Sequence, residues 1–343
     1  MSVGVAYDPI YLKHDTGHHV ENAQRLVAIV GQLEEAKLIS QLVPLPPRAA
    51  SLEELSTVHS MGFISYIQAF AERGGGWLDA DTVVSPASYD AALYAAGGAI
   101  KAVDGVMSGE VESAFALVRP PGHHAMRWEA MGFCLFNNIA IAAKHALTQY
   151  QLERILIVDF DVHHGNGTQD TFYHDPSVLY FSTHQYPFYP GSGRVDETGA
   201  GLGEGYTVNV PLPGWCGDRE YLKVFEEILA PVARRFSPQL ILVSAGYDAH
   251  WSDDISQMQL SATGFAQMVG IIKNLAQELC HGRIVFALEG GYNPPALASS
   301  VRATFDVLLG NEIVDPLGQP PQAGAPRSID RLLEAIKETH KLG

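Results

Sequence analysis

Carboxylate and imidazole side chains alternate along residues 159–167, which read Asp159-Phe-Asp-Val-His-His-Gly-Asn-Gly167. The stretch follows the apolar run 155–158 without a break, and a β-branched run of this length predicts a buried strand. Because side chains alternate along a strand, we expect Asp159, Asp161 and His163 to point to the same side where it ends. Aspartate and histidine are common metal ligands, so the stretch is predicted to supply part of a metal site.

Three other apolar runs also end in residues capable of chemistry. These residues are the pair His123-His124, Gly246-Tyr247-Asp248, and Glu289-Gly290-Gly291-Tyr292. In a parallel sheet the carboxyl ends of the strands meet at one edge, so all of these groups are expected to surround one cleft.

A catalytic metal site follows from this arrangement. Asp161, His163 and Asp248 make a three-ligand set that leaves positions open for water and substrate, as catalytic metal sites do. Zinc is the first choice of metal, and the oxygen-rich set also suits iron(II). His123 and His124 then stay free for proton transfer beside the metal.

Other interpretations of these residues are disfavoured. A Ser-His-Asp hydrolase would need a Gly-x-Ser-x-Gly turn, which the sequence lacks, and Ser244 precedes its glycine inside a strand end. If the groups were only polar residues of the core, each would need its own burial partner, because an unpaired buried charge is costly. Nucleotide binding is disfavoured because no Gly-x-Gly-x-x-Gly follows a strand.

The elements that must position these residues alternate along the chain. Strands are predicted at 3–7, 114–118, 155–158, 178–182, 206–210, 240–244 and 284–288, and helices at 21–38, 51–58, 63–72, 89–107, 138–150, 220–235, 263–279, 296–309 and 329–341. This alternation predicts an α/β fold with a mainly parallel sheet and helices on both faces. No internal repeat divides the sequence, so a single domain over residues 1–343 is the simplest prediction.

Composition excludes several functional classes. The chain has 343 residues, 47% of them hydrophobic, which is enough for a large core. A net charge of −16 without a basic run disfavours direct nucleic-acid binding, and suits either cationic partners or solubility alone. The scattered cysteines Cys134, Cys216 and Cys280 predict reduced thiols rather than disulfides or a thiolate zinc site. The sequence has no signal-peptide layout and no apolar run of membrane-spanning length, so we expect a cytoplasmic protein without a membrane partner.

A series of motifs resembles, in order, those of the zinc-dependent histone deacetylase and acetylpolyamine amidohydrolase superfamily. The motifs are Arg119-Pro-Pro-Gly-His-His-Ala125, Gly132-Phe-Cys-Leu-Phe-Asn-Asn138, Asp159 to Gly167, Tyr189-Pro-Gly-Ser-Gly193, Asn209-Val-Pro-Leu212, Ser244-Ala-Gly-Tyr-Asp248 and Leu288-Glu-Gly-Gly-Tyr-Asn293. The resemblance covers nearly the whole chain and implies the arginase/deacetylase fold, a single α/β domain with an eight-stranded parallel sheet. Asn166, where many members have aspartate, makes the chain resemble the class II branch.

The resemblance also implies roles in catalysis. Asp161, His163 and Asp248 resemble the family's zinc ligands. His123 and His124 resemble its catalytic pair. Within the pair we predict that His124 takes the proton of the attacking water and returns one to the leaving amine, whereas His123, held by Asp159, mainly stabilises charge. The neutral partner Asn166 would bias His124 less towards its charged form. Tyr292 resembles the family's transition-state hydrogen-bond donor.

Substrate and cation sites are implied in the same way. Phe133 and Tyr189 would wall a narrow tunnel for an acyl-lysine stem, with Gly132 at its lip. A monovalent cation site, which implies bound K⁺, matches Asp159, Asp161, His163 and Ser182.

The expected function is removal of acetyl or a related short acyl group from a lysine side chain of a peptide or protein. An acetylpolyamine amidohydrolase is the alternative within the same chemistry. A non-catalytic acyl-lysine binding module is the alternative from another class, but such a module would be expected to lack a ligand or Tyr292.

The residue at the mouth of the substrate tunnel bears on the choice between acyl-lysine and acetylpolyamine. In polyamine-selective relatives an acidic residue stands where this chain has Ile255, which favours acyl-lysine. A shift of one residue would instead bring a carboxylate of the adjacent pair Asp253-Asp254 to the mouth. The sequence leaves the oligomeric state open, a homo-oligomer included.

Overall fold

The computed structural model describes residues 2–321 and 327–342. The strands are, in chain order, β1 (Val3–Ala6), β2 (Leu42–Pro44), β3 (Gly76–Trp77), β4 (Val83–Val84), β5 (Ser113–Ala116), β6 (Ile155–Asp159), β7 (Val178–Gln185), β8 (Thr207–Leu212), β9 (Leu240–Ala245) and β10 (Ile284–Leu288). Eight of them form one sheet in the order β2-β1-β5-β10-β9-β6-β7-β8, and β3 and β4 form a separate antiparallel hairpin. All neighbours in the large sheet are parallel.

The sheet is buried because its central strands are apolar along their whole length. Every residue of β5, β6, β9 and β10 is buried, which is typical of a parallel sheet covered on both faces. Helices make most of the crossovers between parallel strands, as is usual for such sheets, whereas the long connection from β7 to β8 carries a single 3₁₀ turn, Gly201–Gly203.

Helices flank the sheet. They are α1 (Gln24–Glu35), α2 (Leu52–Ser56), α3 (Met61–Glu72), α4 (Ser88–Met107), α5 (Asn138–Gln149), α6 (Asn166–Phe172), α7 (Asp218–Val224), α8 (Ala230–Phe236), α9 (Ala262–Cys280), α10 (Pro294–Leu309) and α11 (Asp330–His340). A π-helical turn, Phe225–Leu229, joins α7 to α8. Helix α10 packs on both α1 and α9, and α4 packs on α5. No helix in the described part of the chain is long and apolar enough to cross a membrane.

The predicted architecture is confirmed: the chain forms a single α/β domain around an eight-stranded parallel sheet. Strand β2, the hairpin of β3 and β4, and helix α6 were not predicted from the sequence. Each of these is short, and the first turn of α6 contains Gly167, so none carries a clear periodic signal.

The end of β6 differs from the expectation. The strand stops at Asp159, so Asp161 and His163 lie in the following loop rather than on a strand face. Loop hydrogen bonds bring these two residues together instead, because the His163 backbone N–H donates to Asp161 Oδ1 at 2.9 Å.

Candidate metal and catalytic site

Four adjacent strands of the sheet end at the same edge and deliver the predicted site residues. Strands β5, β10, β9 and β6 lie side by side in this order. Their carboxyl ends lead into the segments 117–124, 289–292, 246–248 and 160–163. The site therefore forms where parallel strands of an α/β fold usually bind ligands.

Asp161, His163 and Asp248 form a compact, buried group. One ligand atom of each residue lies within 4.8 Å of the others. His163 Nδ1 is 3.0 Å from Asp161 Oδ1 and 3.3 Å from Asp248 Oδ2. Among the described residues, Asp248 Oδ2 is buried without a hydrogen-bond donor. Burial and, after it, the charge of Asp161 raise the pKa of Asp248 to about 7. A buried carboxylate in this situation is stabilised by a cation, so the group fits a divalent metal ion.

Two glycines leave the space that the carboxylates occupy. A Cβ atom on Gly290 would lie 2.1 Å from Asp248 Oδ2 and 2.5 Å from Asp161 Oδ2. A Cβ on Gly246 would lie 2.0 Å from Asp161 Oδ2. The Gly290 N–H also donates to Asp161 Oδ2 at 2.8 Å. Gly290 therefore both leaves room for the Asp161 carboxylate and holds it in place.

His123 lies among carboxylates. Its Nδ1 is 3.1 Å from Asp159 Oδ2, and the Tyr180 hydroxyl donates to the same oxygen at 3.0 Å. Burial disfavours the charged ring, but the carboxylates of Asp161 and Asp159 outweigh it and raise the pKa of His123 to about 10. His123 is therefore suited to carry positive charge.

His124 has a neutral partner instead. Its Nδ1 lies 2.7 Å from Asn166 Oδ1, which can only accept a hydrogen bond. The Asn166 amide nitrogen lies 3.2 Å from Met126 Sδ and 3.3 Å from Met131 Sδ, which suits this orientation of the amide. Burial, followed by the neighbouring charge of His123, lowers the pKa of His124 well below its usual value. Its Nε2 is thus left with a lone pair that can take up a proton.

Tyr292 presents a phenol with no hydrogen-bond partner among the described residues. Burial raises the pKa of this phenol well above its usual value, so the hydroxyl stays protonated and can donate. Its ring is fixed by Phe133, at 5.6 Å between ring centres, and by the guanidinium of Arg25, 5.0 Å from the ring centre.

Aromatic rings wall the site on two sides. The Tyr189 ring lies 5.2 Å from the His124 ring, whereas Phe133 lies against Tyr292. Gly132 backs His124, because a Cβ there would lie 2.4 Å from the His124 ring. Phe188, which was not among the predicted site residues, stacks on His163 with 5.3 Å between the ring centres. Its only sequence signal is that it precedes Tyr189.

The remaining predicted residues lie around this centre. Ser182 pairs in register with Asp159 on the neighbouring strand, and its hydroxyl lies 2.9 Å from His184 Nδ1. Ile255 is half-buried and packs against the core. Its N–H donates to Asp253 Oδ1 at 3.2 Å. Asp253 is buried and Asp254 is exposed.

Glu289 is a further residue of the site, and no role was predicted for it from the sequence. Its Oε2 accepts hydrogen bonds from the backbone N–H groups of Gly122 at 2.7 Å and His123 at 3.1 Å. The carboxylate therefore holds the loop that carries both histidines. Such a contact joins residues far apart in the sequence, which is why no local pattern predicts it.

Comparison with known proteins identifies the family. Residues 19–308 match the family described as the histone deacetylase domain. The chain belongs to the histone deacetylase family. The resemblance seen in the motifs is thereby confirmed, and the protein is a histone-deacetylase-like hydrolase that acts on amides. This family is zinc-dependent, and the group of Asp161, His163 and Asp248 is a candidate metal site.

Individual relatives agree with this assignment. A probable deacetylase of Archaeoglobus fulgidus is 45% identical over 296 residues, covering 85% of this chain and 82% of the relative. Histone deacetylase 10, chloroplastic, of Oryza sativa subsp. japonica is 43% identical over 346 residues, covering 96% of this chain and 78% of the relative. The crystal structure of the HDA15 HD domain superposes with a TM-score of 0.88 at 35% identity, covering 98% of this chain and 95% of that one.

Proposed function

We propose that this deacetylase hydrolyses the side-chain amide of acyl-lysine in a peptide or protein and releases acetate or a related short acid. One observation carries the proposal. The candidate metal ligands and the two histidines are buried side by side, and the rings of Tyr189 and Phe133 lie beside His124 and the free Tyr292 phenol. An apolar passage between two such rings would suit the aliphatic stem of a lysine side chain.

The metal site belongs to the proposal. Asp161, His163 and Asp248 would hold one divalent ion, zinc by preference and iron(II) as the alternative, because two carboxylates and one imidazole suit both. When bound, such an ion acts as a Lewis acid towards the amide carbonyl and acidifies water.

The protein's own groups would carry the proton transfers. His124, neutral and bound to Asn166 through Nδ1, takes a proton from the attacking water at Nε2 and gives it to the leaving amine. The water oxygen bonds to the acyl carbon, the carbon–nitrogen bond breaks, and the free lysine amine leaves. His123, held by Asp159, stabilises negative charge, and Tyr292 donates a hydrogen bond to the developing oxyanion.

A monovalent cation site is part of the same proposal. We propose that K⁺ binds beside Asp159, Asp161, His163 and Ser182. The register of β6 and β7 supports this, because it sets Asp159 directly beside Ser182, and both are buried. A buried, oxygen-rich position suits a hard monovalent cation.

The proposal extends to domain organisation, cellular location and oligomeric state. We propose that residues 1–343 form one catalytic domain and that the protein is located in the cytoplasm. A homo-oligomer is an open alternative to a monomer. The rice relative is named chloroplastic, and that location is a property of the relative.

The choice of acyl-lysine over acetylpolyamine rests on the loop after Asp248. Ile255 offers an apolar side chain, which cannot pair with a second ammonium group. Asp253 is buried, and both of its oxygens accept backbone hydrogen bonds. Of the adjacent pair Asp253-Asp254, only the exposed Asp254 therefore has a carboxylate that could bind an ammonium group of a polyamine.

The test is a comparison of kcat/KM across substrates. Acetyl-lysine and other short-chain acyl-lysine peptides are measured beside N-acetylputrescine and acetylspermidine. We expect the peptides to be preferred and a chelator to abolish acid release. Preference for the polyamines, reversed by Asp254→Leu, would contradict the substrate class. Binding of acyl-lysine peptides without any acid release would instead indicate a binding module.

A further inference from the structure

One buried carboxylate joins the loop after Asp248 to the loop that carries Tyr292. The Asp253 side chain is 4% exposed. Its Oδ2 accepts hydrogen bonds from the backbone N–H groups of Tyr292 at 2.6 Å and Asn293 at 3.0 Å. Its Oδ1 accepts from the Ile255 N–H at 3.2 Å. Charge-assisted hydrogen bonds of this length are among the stronger ones in proteins.

The Tyr292 loop needs support because two glycines precede the tyrosine. Gly291 has a φ of 118°, a conformation that favours glycine, and glycine gives the backbone wide freedom. Without fixed partners, the phenol would therefore sample many positions.

The same loop is held from its carbonyl side by a cation. Arg25 donates from Nε to the Gly291 carbonyl at 2.6 Å and from Nη2 to the Glu289 carbonyl. Asp253 thus binds the backbone N–H groups of Tyr292 and Asn293. Arg25 binds the backbone carbonyl groups of two residues that precede the tyrosine. Both contacts act on the backbone and leave the Tyr292 hydroxyl free.

Asn293, which donates its N–H to Asp253, also links the Tyr292 loop to helix α10. Asn293 caps α10, because its Oδ1 accepts from the Ala296 N–H at 3.2 Å. The amide nitrogen of Asn293 donates to the Ser252 carbonyl at 2.7 Å, next to Asp253. The start of α10 and the Tyr292 loop are therefore positioned together.

We infer that Asp253 is a positioning residue for deacylation: it fixes the Tyr292 phenol where the oxyanion forms and ties that position to Ile255 at the predicted tunnel mouth. The inference rests on the role proposed for Tyr292. Asp253 does not itself contact substrate, because its side chain is buried and both oxygens are engaged. A misplacement of about 1 Å at a reacting centre can cost about a hundredfold in rate, so loss of this contact should have a measurable effect on kcat.

The experiment is a double-mutant cycle between Asp253→Asn and Tyr292→Phe. We expect Asp253→Asn alone to lower kcat by about tenfold to a hundredfold with little change in KM, because the donor acts mainly in the transition state. In the Tyr292→Phe background we expect Asp253→Asn to change kcat by less than about twofold, because the group that it positions is gone. Metal content is measured in every variant and is expected to stay unchanged.

A matched control is Asp175→Asn. Asp175 Oδ1 likewise accepts from a backbone N–H, that of Ser177 at 3.0 Å, but at the opposite end of the sheet, just before β7. We expect unchanged kcat in both backgrounds. Asp253→Glu, which keeps the charge but displaces the carboxylate, replaces Asp253→Asn if that variant fails to fold.

The outcomes separate the inference from the proposed function. Equal losses of kcat from Asp253→Asn in both backgrounds, or no loss in either, would overturn the positioning role while leaving the deacylase assignment intact. Unchanged kcat in Tyr292→Phe alone would overturn the inference together with the proposed role of Tyr292. The substrate comparison on the wild-type enzyme decides the proposed function separately.

Discussion

Two neighbouring histidines show how contacts decide the role of a residue. His123 is bound to the carboxylate of Asp159, whereas His124 is bound to the amide of Asn166. The carboxylate favours a charged ring, and the amide oxygen fixes a neutral tautomer without supplying charge. Residues of identical type thus become suited to charge stabilisation in one case and proton uptake in the other.

Replacement of Tyr292 by phenylalanine tests the donor at the residue scale. The change removes one hydroxyl and keeps the ring between Phe133 and Arg25. We expect kcat to fall by about a hundredfold or more, because one oxyanion donor is lost, while KM stays nearly constant. Steady-state kinetics on an acetyl-lysine peptide measure both constants. Unchanged kcat with a raised KM would mean that Tyr292 contributes only to binding.

The residues that could be predicted from the sequence are those that directly follow apolar runs. Asp161, His163, Asp248 and the pair His123-His124 have this signal, and the structure brings them together. Asp253 and Glu289 hold distant backbone segments through side-chain oxygens. Their function depends on which loops meet in space, and neither spacing nor residue type reveals that.

At the scale of elements, the loops after β9 and β10 approach each other through glycine. Gly246 and Gly290 occupy positions where any side chain would collide with a candidate ligand carboxylate. The strand ends were predictable from the apolar runs that precede them. The loop geometry was not, because the alternation of a strand does not extend past Asp159.

The substitution Gly290→Ala tests this packing. The added methyl group would enter the space between Asp248 and Asp161, at 2.1 Å and 2.5 Å from their oxygens. We expect the purified variant to contain far less metal and to lose most of its turnover, because the two ligands are forced apart. Elemental analysis of the protein measures the metal directly.

Gly270→Ala is the control for Gly290→Ala. Gly270 lies within α9, and a Cβ there would meet no atom within 4 Å. Alanine is favoured over glycine in a helix by about 0.5–1 kcal/mol, so this variant should be slightly more stable and fully active. Full metal content in Gly290→Ala would show that the site tolerates the methyl group, contrary to the expectation.

At the scale of the whole molecule, charge is predicted to act on substrate encounter. The chain carries a formal charge of −16, which attracts cationic peptides over a distance set by the ionic strength. We expect kcat/KM for an acetyl-lysine peptide flanked by lysines to fall by about tenfold as salt rises. A neutral peptide of equal length should change little. Equal responses of the two peptides would exclude a role for the net charge in encounter.

The strand order has a consequence for biosynthesis. Strands β5 and β6, which precede the histidine pair and the Asp161 loop, are not neighbours, because β10 and β9 lie between them. Three strand spacings of about 4.8 Å put them roughly 14 Å apart. The strands that fill this gap, β9 and β10, come later in the chain than both of them, and they lead to Asp248 and Tyr292. We therefore expect a nascent polypeptide to remain inactive on the ribosome until β10 and the loop that carries Tyr292 have been translated.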